Sequence, residues 1–330
     1  MFTRPDGFSD EMVVDALVAG WDLRVHHIEY ATVGFGSYHW TVTDAWDGRW
    51  FVTVDDVVRR AEEFAEPTTS ALRRLSAALS TARSLRDAGL EFVVAPEPTS
   101  RGSVLHPPDS RHAVALYPLV EGETYSWGGY DTRDERLAVL DLLAELHTAP
   151  PSTRRDTLTD EFAIQGQQGL RDALGALDGP WDGGPFSERA RALTEERLAS
   201  LEAAFARYHA LVAAAAAGRE RLVITHGEPH RGNTITTTAG PVLIDWDTAL
   251  LAPPERDLWS LVDEDPAIVD EYARRTGTVP DQAVLDLYRL RWDLTEISLY
   301  VALFRAPHVE NDDTTNAWGG LAHAFDAITG

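Results

Sequence analysis

Hydrophobic and polar positions follow two different patterns along this chain, and the change falls near residue 117. Before that point, five short runs have the alternation or apolar character of β-strands, at residues 26–33, 38–43, 50–54, 92–95 and 112–117. Helical spacing of apolar residues occurs at 10–19 and 71–88. Asp47 and Gly48 form a turn signal between the second and third strands. The pattern predicts a small sheet with one main helix against it.

Beyond residue 117 the spacing is mainly helical, with patterns at residues 134–147, 187–216, 254–262 and 282–304. One segment interrupts it, because residues 222–245 read as strand, polar loop and strand. Polar side chains that follow apolar strands in this way are presented to a cleft by loops. A chain of 330 residues is also beyond the size at which one hydrophobic core usually stops growing. We therefore expect an α+β protein with two lobes, residues 1–117 and residues 118–330.

Composition narrows the possible chemistry. The net charge of −24 argues against a nucleic-acid partner, because no basic patch offsets phosphate repulsion. The charge permits a cationic substrate, although solubility alone is the preferred explanation. Cysteine is absent, which leaves carboxylate, amide or imidazole ligands and favours a hard cation such as Mg²⁺. The polar start and the lack of a membrane-length apolar run predict a cytoplasmic protein without a membrane partner.

The most informative segment is residues 226–233, followed twelve residues later by Asp245 at the end of an apolar strand. It places Glu228, Asn233 and Asp245 on adjoining strand ends. These residues suit phosphoryl transfer, in which one carboxylate orients a substrate hydroxyl while an amide and a second carboxylate hold Mg²⁺. Two alternatives stay open. The three residues could simply cap loops, or the H-x-E-x-H spacing of residues 226–230 could hold zinc, although its glycine and proline favour a loop.

Several motifs together resemble the aminoglycoside phosphotransferase family. Residues 226–233 resemble its H-G-D-x-x-x-x-N loop, and residues 244–247, I-D-W-D, resemble its magnesium motif. Residues 251–258 are similar to the sequence that follows this motif in the spectinomycin phosphotransferase branch. Residues 115–122 resemble the linker between the lobes, and residues 143–147 the helix after it. The resemblance spans about residues 33–258, with the motifs in the expected order.

The resemblance implies a protein-kinase-like fold with a five-stranded antiparallel N-terminal lobe that covers a nucleotide, and a mainly helical C-terminal lobe. It implies ATP or GTP as phosphoryl donor, Mg²⁺ as cofactor, and Asp257 and Trp246 as structural residues. The functional roles it assigns are as follows: Glu228 is catalytic; Asn233 and Asp245 are catalytic and bind the metal; the backbone near Tyr117 and Leu119 binds the purine; and Gly34, Gly36, Ser37 and Thr53 contact the phosphates.

Two positions depart from the family pattern. Glu228 stands where the family has aspartate, which moves the carboxylate outward by about 1.5 Å. Thr53 stands where the third strand normally carries a phosphate-binding lysine, and all 29 basic residues of the chain are arginine. The helix at 71–88 also lacks the glutamate that usually pairs with that lysine. Either Thr53 itself or an arginine of this helix could take over, and the candidates are Arg73, Arg74, Arg83 and Arg86.

The sequence thus predicts an O-phosphotransferase that acts on a hydroxyl of a small molecule. The acceptor would be an antibiotic, such as an aminoglycoside, aminocyclitol or nucleoside, or a sugar-like metabolite. Its pocket would lie in the helical lobe, lined by segments after residue 121 and by residues 263–265 or the C-terminal helices. Two alternatives remain: a pseudokinase-like module that binds a nucleotide or ligand without transfer, and a choline-like metabolic kinase, since fold and catalytic loop do not distinguish these functions.

Overall fold

The computed structural model describes residues 3–5, 7–34, 36–215 and 221–329. Seven of its strands match predicted runs to within a few residues, whereas the short strands β5 and β9 were not predicted. A four-stranded antiparallel sheet has the order β1-β2-β3-β4, and two smaller sheets have the orders β5-β7-β8 and β6-β9. The strands are β1 Val25–Ala31, β2 Tyr38–Asp44, β3 Arg49–Asp56, β4 His112–Pro118, β5 Glu123–Thr124, β6 Val223–Thr225, β7 Thr234–Thr237, β8 Gly240–Leu243 and β9 Leu250–Ala252.

The helices confirm most of the predicted helical patterns. Helices α2, α5, α9 and α11 were not predicted, because their apolar spacing is short or interrupted by polar residues and glycine. The helices are α1 Asp10–Trp21, α2 Val57–Glu63, α3 Thr68–Asp87, α4 Arg133–His147, α5 Gln167–Leu174, α6 Ser187–Glu196, α7 Leu198–Ala215, α8 Glu255–Glu264, α9 Ile268–Thr276, α10 Gln282–Arg305 and α11 Asp312–Thr329.

The four-stranded sheet has two unlike faces, because successive side chains of a strand point to opposite sides. One face is apolar and packs against α1, with Trp40, Val52 and Val54 buried beside Val13 and Leu17. The opposite face carries the alternate positions of β2, β3 and β4, many of which are polar. At the β2–β3 turn, the Asp44 carboxylate accepts hydrogen bonds from the amides of Trp46 and Gly48, each 2.8 Å long.

The prediction of a fifth strand in this sheet at residues 92–95 is wrong. The carbonyl of Phe92 accepts a hydrogen bond from the amide of Leu243, and the Val94 amide donates to the carbonyl of Leu243. Val93 forms an isolated parallel bridge to Leu243 in β8. Residues 92–95 are apolar because they are buried against β8, and burial alone does not specify the strand to which a segment bonds.

The prediction of one helix over residues 187–216 is also wrong. The helix breaks at Arg197, whose ψ of 7° departs from helical geometry, and Ala216 lies outside the described residues. The apolar spacing continues through the break, so the pattern alone does not show it. Tertiary contacts hold α6 separately, since the Ser187 hydroxyl donates a 2.6 Å hydrogen bond to the carbonyl of Phe304 in α10.

By its internal contacts the chain divides into two compact units. One comprises Met1–Val58, Thr68–Asp160 and Arg221–Pro280, and contains the four-stranded sheet, α3, α4 and the loop at residues 226–233. The other comprises Arg59–Pro67, Glu161–Glu220 and Asp281–Gly330, in which α10 packs against α5, α6, α7 and α11. Within the described part of the chain, no helix combines the length and apolarity needed to span a bilayer.

Candidate functional site

The loop at residues 226–233 brings the three predicted catalytic residues together. It begins after β6 and ends in a short 3-10 helix, Arg231–Asn233, that leads into β7. The side-chain amide of Asn233 donates a 3.0 Å hydrogen bond to the carbonyl of Glu228. The Ile244 amide donates to the Asn233 carbonyl over 3.0 Å, which places Asp245, the next residue, beside this loop. Glu228, Asn233 and Asp245 therefore lie close together along the chain backbone, and their functional roles remain predictions.

His226 is a structural residue at the start of this loop. Its Nε2 lies 2.8 Å from the Ile244 carbonyl, and its Nδ1 lies 3.3 Å from the Glu228 amide. A carbonyl can only accept and an amide N–H can only donate, so Nε2 carries the proton and Nδ1 accepts. Burial lowers the pKa of His226, which keeps the ring in this neutral form. Both ring nitrogens are thus engaged, which removes His226 as a ligand for the alternative zinc site.

Asp257, at the start of α8, anchors the loop. Its fully buried carboxylate accepts hydrogen bonds from the amides of His226, at 2.8 Å, and Gly227, at 2.6 Å. His147 Nε2, at the end of α4, lies 3.1 Å away, and His147 Nδ1 lies 2.9 Å from the Tyr272 hydroxyl. Burial opposes the charge, but the hydrogen bond from His147 and nearby positive charge lower the pKa of Asp257. The expected structural role of Asp257 is confirmed, and the His147 partner was not predicted.

A buried arginine, Arg256, forms hydrogen bonds to the residues that flank the start of the loop. Arg256 donates to the Thr225 hydroxyl at 2.8 Å and to the Thr248 carbonyl at 2.9 Å. The Thr248 hydroxyl donates in turn to the His226 carbonyl at 2.7 Å. Gly227 has a φ of +103°, and a Cβ there would lie 2.3 Å from an Arg256 guanidinium nitrogen. Only glycine fits, because both the backbone conformation and the close arginine exclude a side chain.

The exposed atoms of the cluster are oxygens. The Glu228 side chain is 38% exposed, and Asp245 is exposed with a left-handed backbone, φ 66°. Asn233 is buried, and its side-chain nitrogen donates to the Glu228 carbonyl. Among the described residues, no group of three or more imidazole or carboxylate side chains forms a metal cluster. One amide oxygen and one carboxylate nevertheless fit Mg²⁺, which takes its other ligands from water and phosphate.

The predicted phosphate-contacting residues lie on the polar face of the four-stranded sheet and in the turn before β2. Gly34 and Gly36 both have positive φ, and Phe35 between them lies outside the described residues. The Ser37 hydroxyl donates to the buried Asp55 carboxylate at 2.6 Å. These groups form a turn above a buried carboxylate, and the site residues assigned here remain predictions.

Tyr117, whose backbone is predicted to contact the purine, also places its side chain near the polar face of the sheet. Its phenol is hydrogen-bonded to Thr53 and lies near the carboxylates of Asp55, Asp245 and Asp247. Burial, reinforced by these carboxylates, raises the pKa of Tyr117 well above its ordinary value, so it remains a neutral donor. The Leu119 amide, predicted to contact the purine, donates to the Arg49 carbonyl at 3.1 Å.

Two of the arginines considered as replacements for the missing lysine are engaged elsewhere. Arg83 pairs with Asp87, at 2.5 Å, and with Glu97. Arg86 donates to the carbonyl of Glu91. These contacts lie at the C-terminal end of α3. In the predicted acceptor region, Asp265 pairs with Arg133 at 3.1 Å, so this carboxylate is already part of an ion pair.

The chain resembles known proteins in sequence and in fold. The model of the phosphotransferase enzyme family matches residues 31–289. Protein StrN of Streptomyces griseus is 32% identical over 249 residues, which cover 72% of each chain. Spectinomycin phosphotransferase, solved with ADP and spectinomycin, aligns with a TM-score of 0.72 at 14% identity over 98% of both chains. A microcompartment-associated aminopropanol kinase aligns with a TM-score of 0.61 at 15% identity over 97% of both chains. The fold likenesses confirm the predicted kinase-like, two-lobed α+β architecture.

Proposed function

The chain belongs to the phosphotransferase enzyme family, and on that premise we propose that it transfers the terminal phosphate of ATP or GTP to a hydroxyl of a small molecule. The observation that carries this proposal is the cluster of Glu228, Asn233 and Asp245. The start of the loop is anchored by the amides of His226 and Gly227, which donate hydrogen bonds to the buried Asp257 carboxylate. A fixed loop of this kind is what phosphoryl transfer requires, because the protein acts mainly by positioning and electrostatics.

In this proposal Glu228 orients the acceptor hydroxyl and accepts its proton. Its carboxylate is partly exposed, and its amide donates a hydrogen bond to His226 Nδ1. The Asn233 oxygen and the Asp245 carboxylate would hold Mg²⁺, which neutralises phosphate charge when bound. The longer side chain of Glu228, relative to the family aspartate, would place the reacting oxygen about 1.5 Å further from the loop backbone.

The acceptor would bind within the C-terminal lobe, residues 118–330, and the sheet of residues 1–117 would cover the nucleotide. The names of the two solved relatives include spectinomycin and aminopropanol, which supports a small molecule as acceptor. The net charge of −24 permits an acceptor that carries an amine. An antibiotic and a metabolic amino alcohol both meet this description, and the transfer assay described below distinguishes between them.

A second candidate is nucleotide binding without transfer. It is favoured by the neutral Thr53–Tyr117 pair at the position where the family has lysine. The assay that separates the two follows γ-phosphate transfer from ATP and GTP, with Mg²⁺, to aminocyclitol, nucleoside and amino-alcohol acceptors. We expect transfer in the wild type and a loss of about 10²–10⁴-fold in Glu228→Gln, the range for a general base.

The matched control is Glu145→Gln, which removes an exposed carboxylate from α4 and should retain activity. Nucleotide binding without transfer to any acceptor would favour the binding module. Equal activity in the wild type and Glu228→Gln would remove Glu228 from the proposed role.

A further inference from the structure

The polar face of the four-stranded sheet carries an imidazole beside the position of the missing lysine. His39 in β2 lies directly opposite Thr53 in β3, and Thr53 lies opposite Ala115 in β4. Residues directly opposite one another in a sheet project from the same face. The neighbours Trp40, Val52 and Val54 are buried on the other face. His39 and Thr53 therefore share the face on which the family lysine would stand.

The orientation of the His39 ring is fixed by three contacts. Its Nδ1 lies 2.8 Å from the Val33 carbonyl, so Nδ1 carries a proton and donates it. The ring stacks on Phe51, with centroids 5.2 Å apart and planes inclined by 26°. A Cβ added at Gly34 would lie 3.2 Å from His39 Cε1, so the turn backbone lies against the ring edge. Of the two ring nitrogens, Nε2 is the one left for a ligand.

A phosphate bound beside His39 would favour the cationic form of its ring. Burial lowers the pKa of His39, whereas Asp55 in β3 and Asp247 after β8 act in the opposite direction. A phosphate oxygen can only accept hydrogen bonds, so a phosphate beside Nε2 would hold the imidazolium form, with a proton on each nitrogen. A phosphate that binds at Nε2 would therefore bring positive charge to a chain that has no lysine.

We propose that His39 binds the nucleotide phosphates through Nε2 and, together with the Thr53 hydroxyl, replaces the lysine of this family. This inference rests on the proposed function, since it requires a nucleotide in the site. It assigns the missing charge to the sheet itself, in place of an arginine from α3.

The experiment is isothermal titration of the wild type, His39→Gln and His27→Gln with Mg·ATP, Mg·GTP, adenosine and guanosine. His27 is an exposed histidine of β1 in the same sheet and is the matched control. We expect His39→Gln to weaken binding of the favoured triphosphate by roughly ten- to a hundredfold, the contribution of a hydrogen bond to a charged group. Its nucleoside affinity, and both affinities of His27→Gln, should stay unchanged.

A gain of function sharpens the test. Thr53→Lys in the His39→Gln background should restore triphosphate affinity, because it returns a cation to the same face. Unchanged triphosphate affinity in His39→Gln, or an equal loss for triphosphate and nucleoside, would overturn the inference while the proposed function stands. A wild type that binds neither ATP nor GTP would instead overturn the proposed function.

Nitrogen NMR of the wild type provides a second measurement should His39→Gln not fold. With ¹⁵N-labelled histidine, the Nε2 resonance of His39 should move to the imidazolium position on addition of the triphosphate. The nucleoside should leave it in place. A resonance that responds to neither ligand, or equally to both, would contradict phosphate binding by His39.

Discussion

The loop at residues 226–233 and the polar face of the four-stranded sheet form two halves of the candidate site, and they are built differently. The loop is tied to fully buried groups, because its first two amides donate to Asp257 and its glycine lies against Arg256. The sheet face bonds its groups in pairs, Ser37 with Asp55 and Thr53 with Tyr117. The loop, which we propose positions the acceptor, departs from the family pattern by exchanging one acidic residue for another at Glu228, whereas the sheet face, which we propose contacts phosphate, has lost a charged residue at Thr53.

The change on the sheet face involves a pair of residues. The family lysine and its glutamate partner on α3 are both absent, and neutral hydroxyl groups stand in the lysine position. Removing one partner alone would leave an uncompensated buried charge, which costs about 3–5 kcal/mol. Loss of both avoids that cost. The loop network cannot lose one member so easily, because several donors share the Asp257 carboxylate.

The largest expected effect tests the anchoring of the loop. Asp257→Ala leaves the amides of His226 and Gly227 and the His147 ring without their buried acceptor, and should destabilise the protein by about 3–5 kcal/mol. The urea midpoint measures this loss, and hydrogen exchange should show the loop amides opening before those of β2 and β3. Asp270→Ala, an exposed position on α9, is the control and should change stability by less than about 0.5 kcal/mol. Similar midpoints for both variants would mean that Asp257 does not anchor the loop.

A pair of glycines separates packing from backbone strain. Gly227 and Gly277 both have positive φ, but a Cβ at Gly277 would meet no atom within 4 Å. Gly277→Ala should cost about 1 kcal/mol, the penalty for a left-handed residue. Gly227→Ala should cost about 2 kcal/mol more, because Arg256 must give up buried hydrogen bonds. Thermal unfolding of the two variants gives the difference, and equal losses would show that Arg256 moves freely.

Acid should weaken the loop through its second histidine. Burial lowers the pKa of His230 to about 4. The ring is therefore protonated below about pH 6.5 in the unfolded chain, but only near pH 4 in the folded loop. This contribution is complete above pH 6.5 and is lost as the pH falls towards 4, by up to about 3 kcal/mol. His230→Gln should therefore flatten the stability profile between these values and run parallel to the wild type above pH 7. An unchanged slope would indicate that the ring is already protonated in the fold.

The smallest expected effect lies on the sheet face. Tyr117→Phe removes one neutral hydrogen bond to Thr53 and should cost about 1 kcal/mol or less in the urea midpoint. The aromatic ring stays in place, and the charges of the nearby carboxylates are unchanged. A loss as large as that of Asp257→Ala would erase the contrast between the two halves, because it would show that the sheet face is anchored as firmly as the loop.

Much of this organisation could be predicted from the sequence. Apolar spacing identified the strands of the sheet, apart from residues 92–95, and the long helices α3, α4 and α10. The spacing of Glu228, Asn233 and Asp245 identified the loop, since Glu228 and Asp245 follow short apolar strands and Asn233 directly precedes one. The pattern did not separate α6 from α7, because the residues on both sides of Arg197 keep helical periodicity.

The sequence by itself determined the fold class, the residue types of the loop and the absence of lysine. Only the tertiary structure decided which residues, distant in the sequence, contact the loop and the position of the missing lysine. His147 and Asp257 are 110 residues apart, and nothing in the spacing of either indicates the other. His39 gained its significance from strand register, which places it opposite Thr53. Periodicity records which side of an element is buried, but the partners across that side are fixed only when long chain segments close and pack.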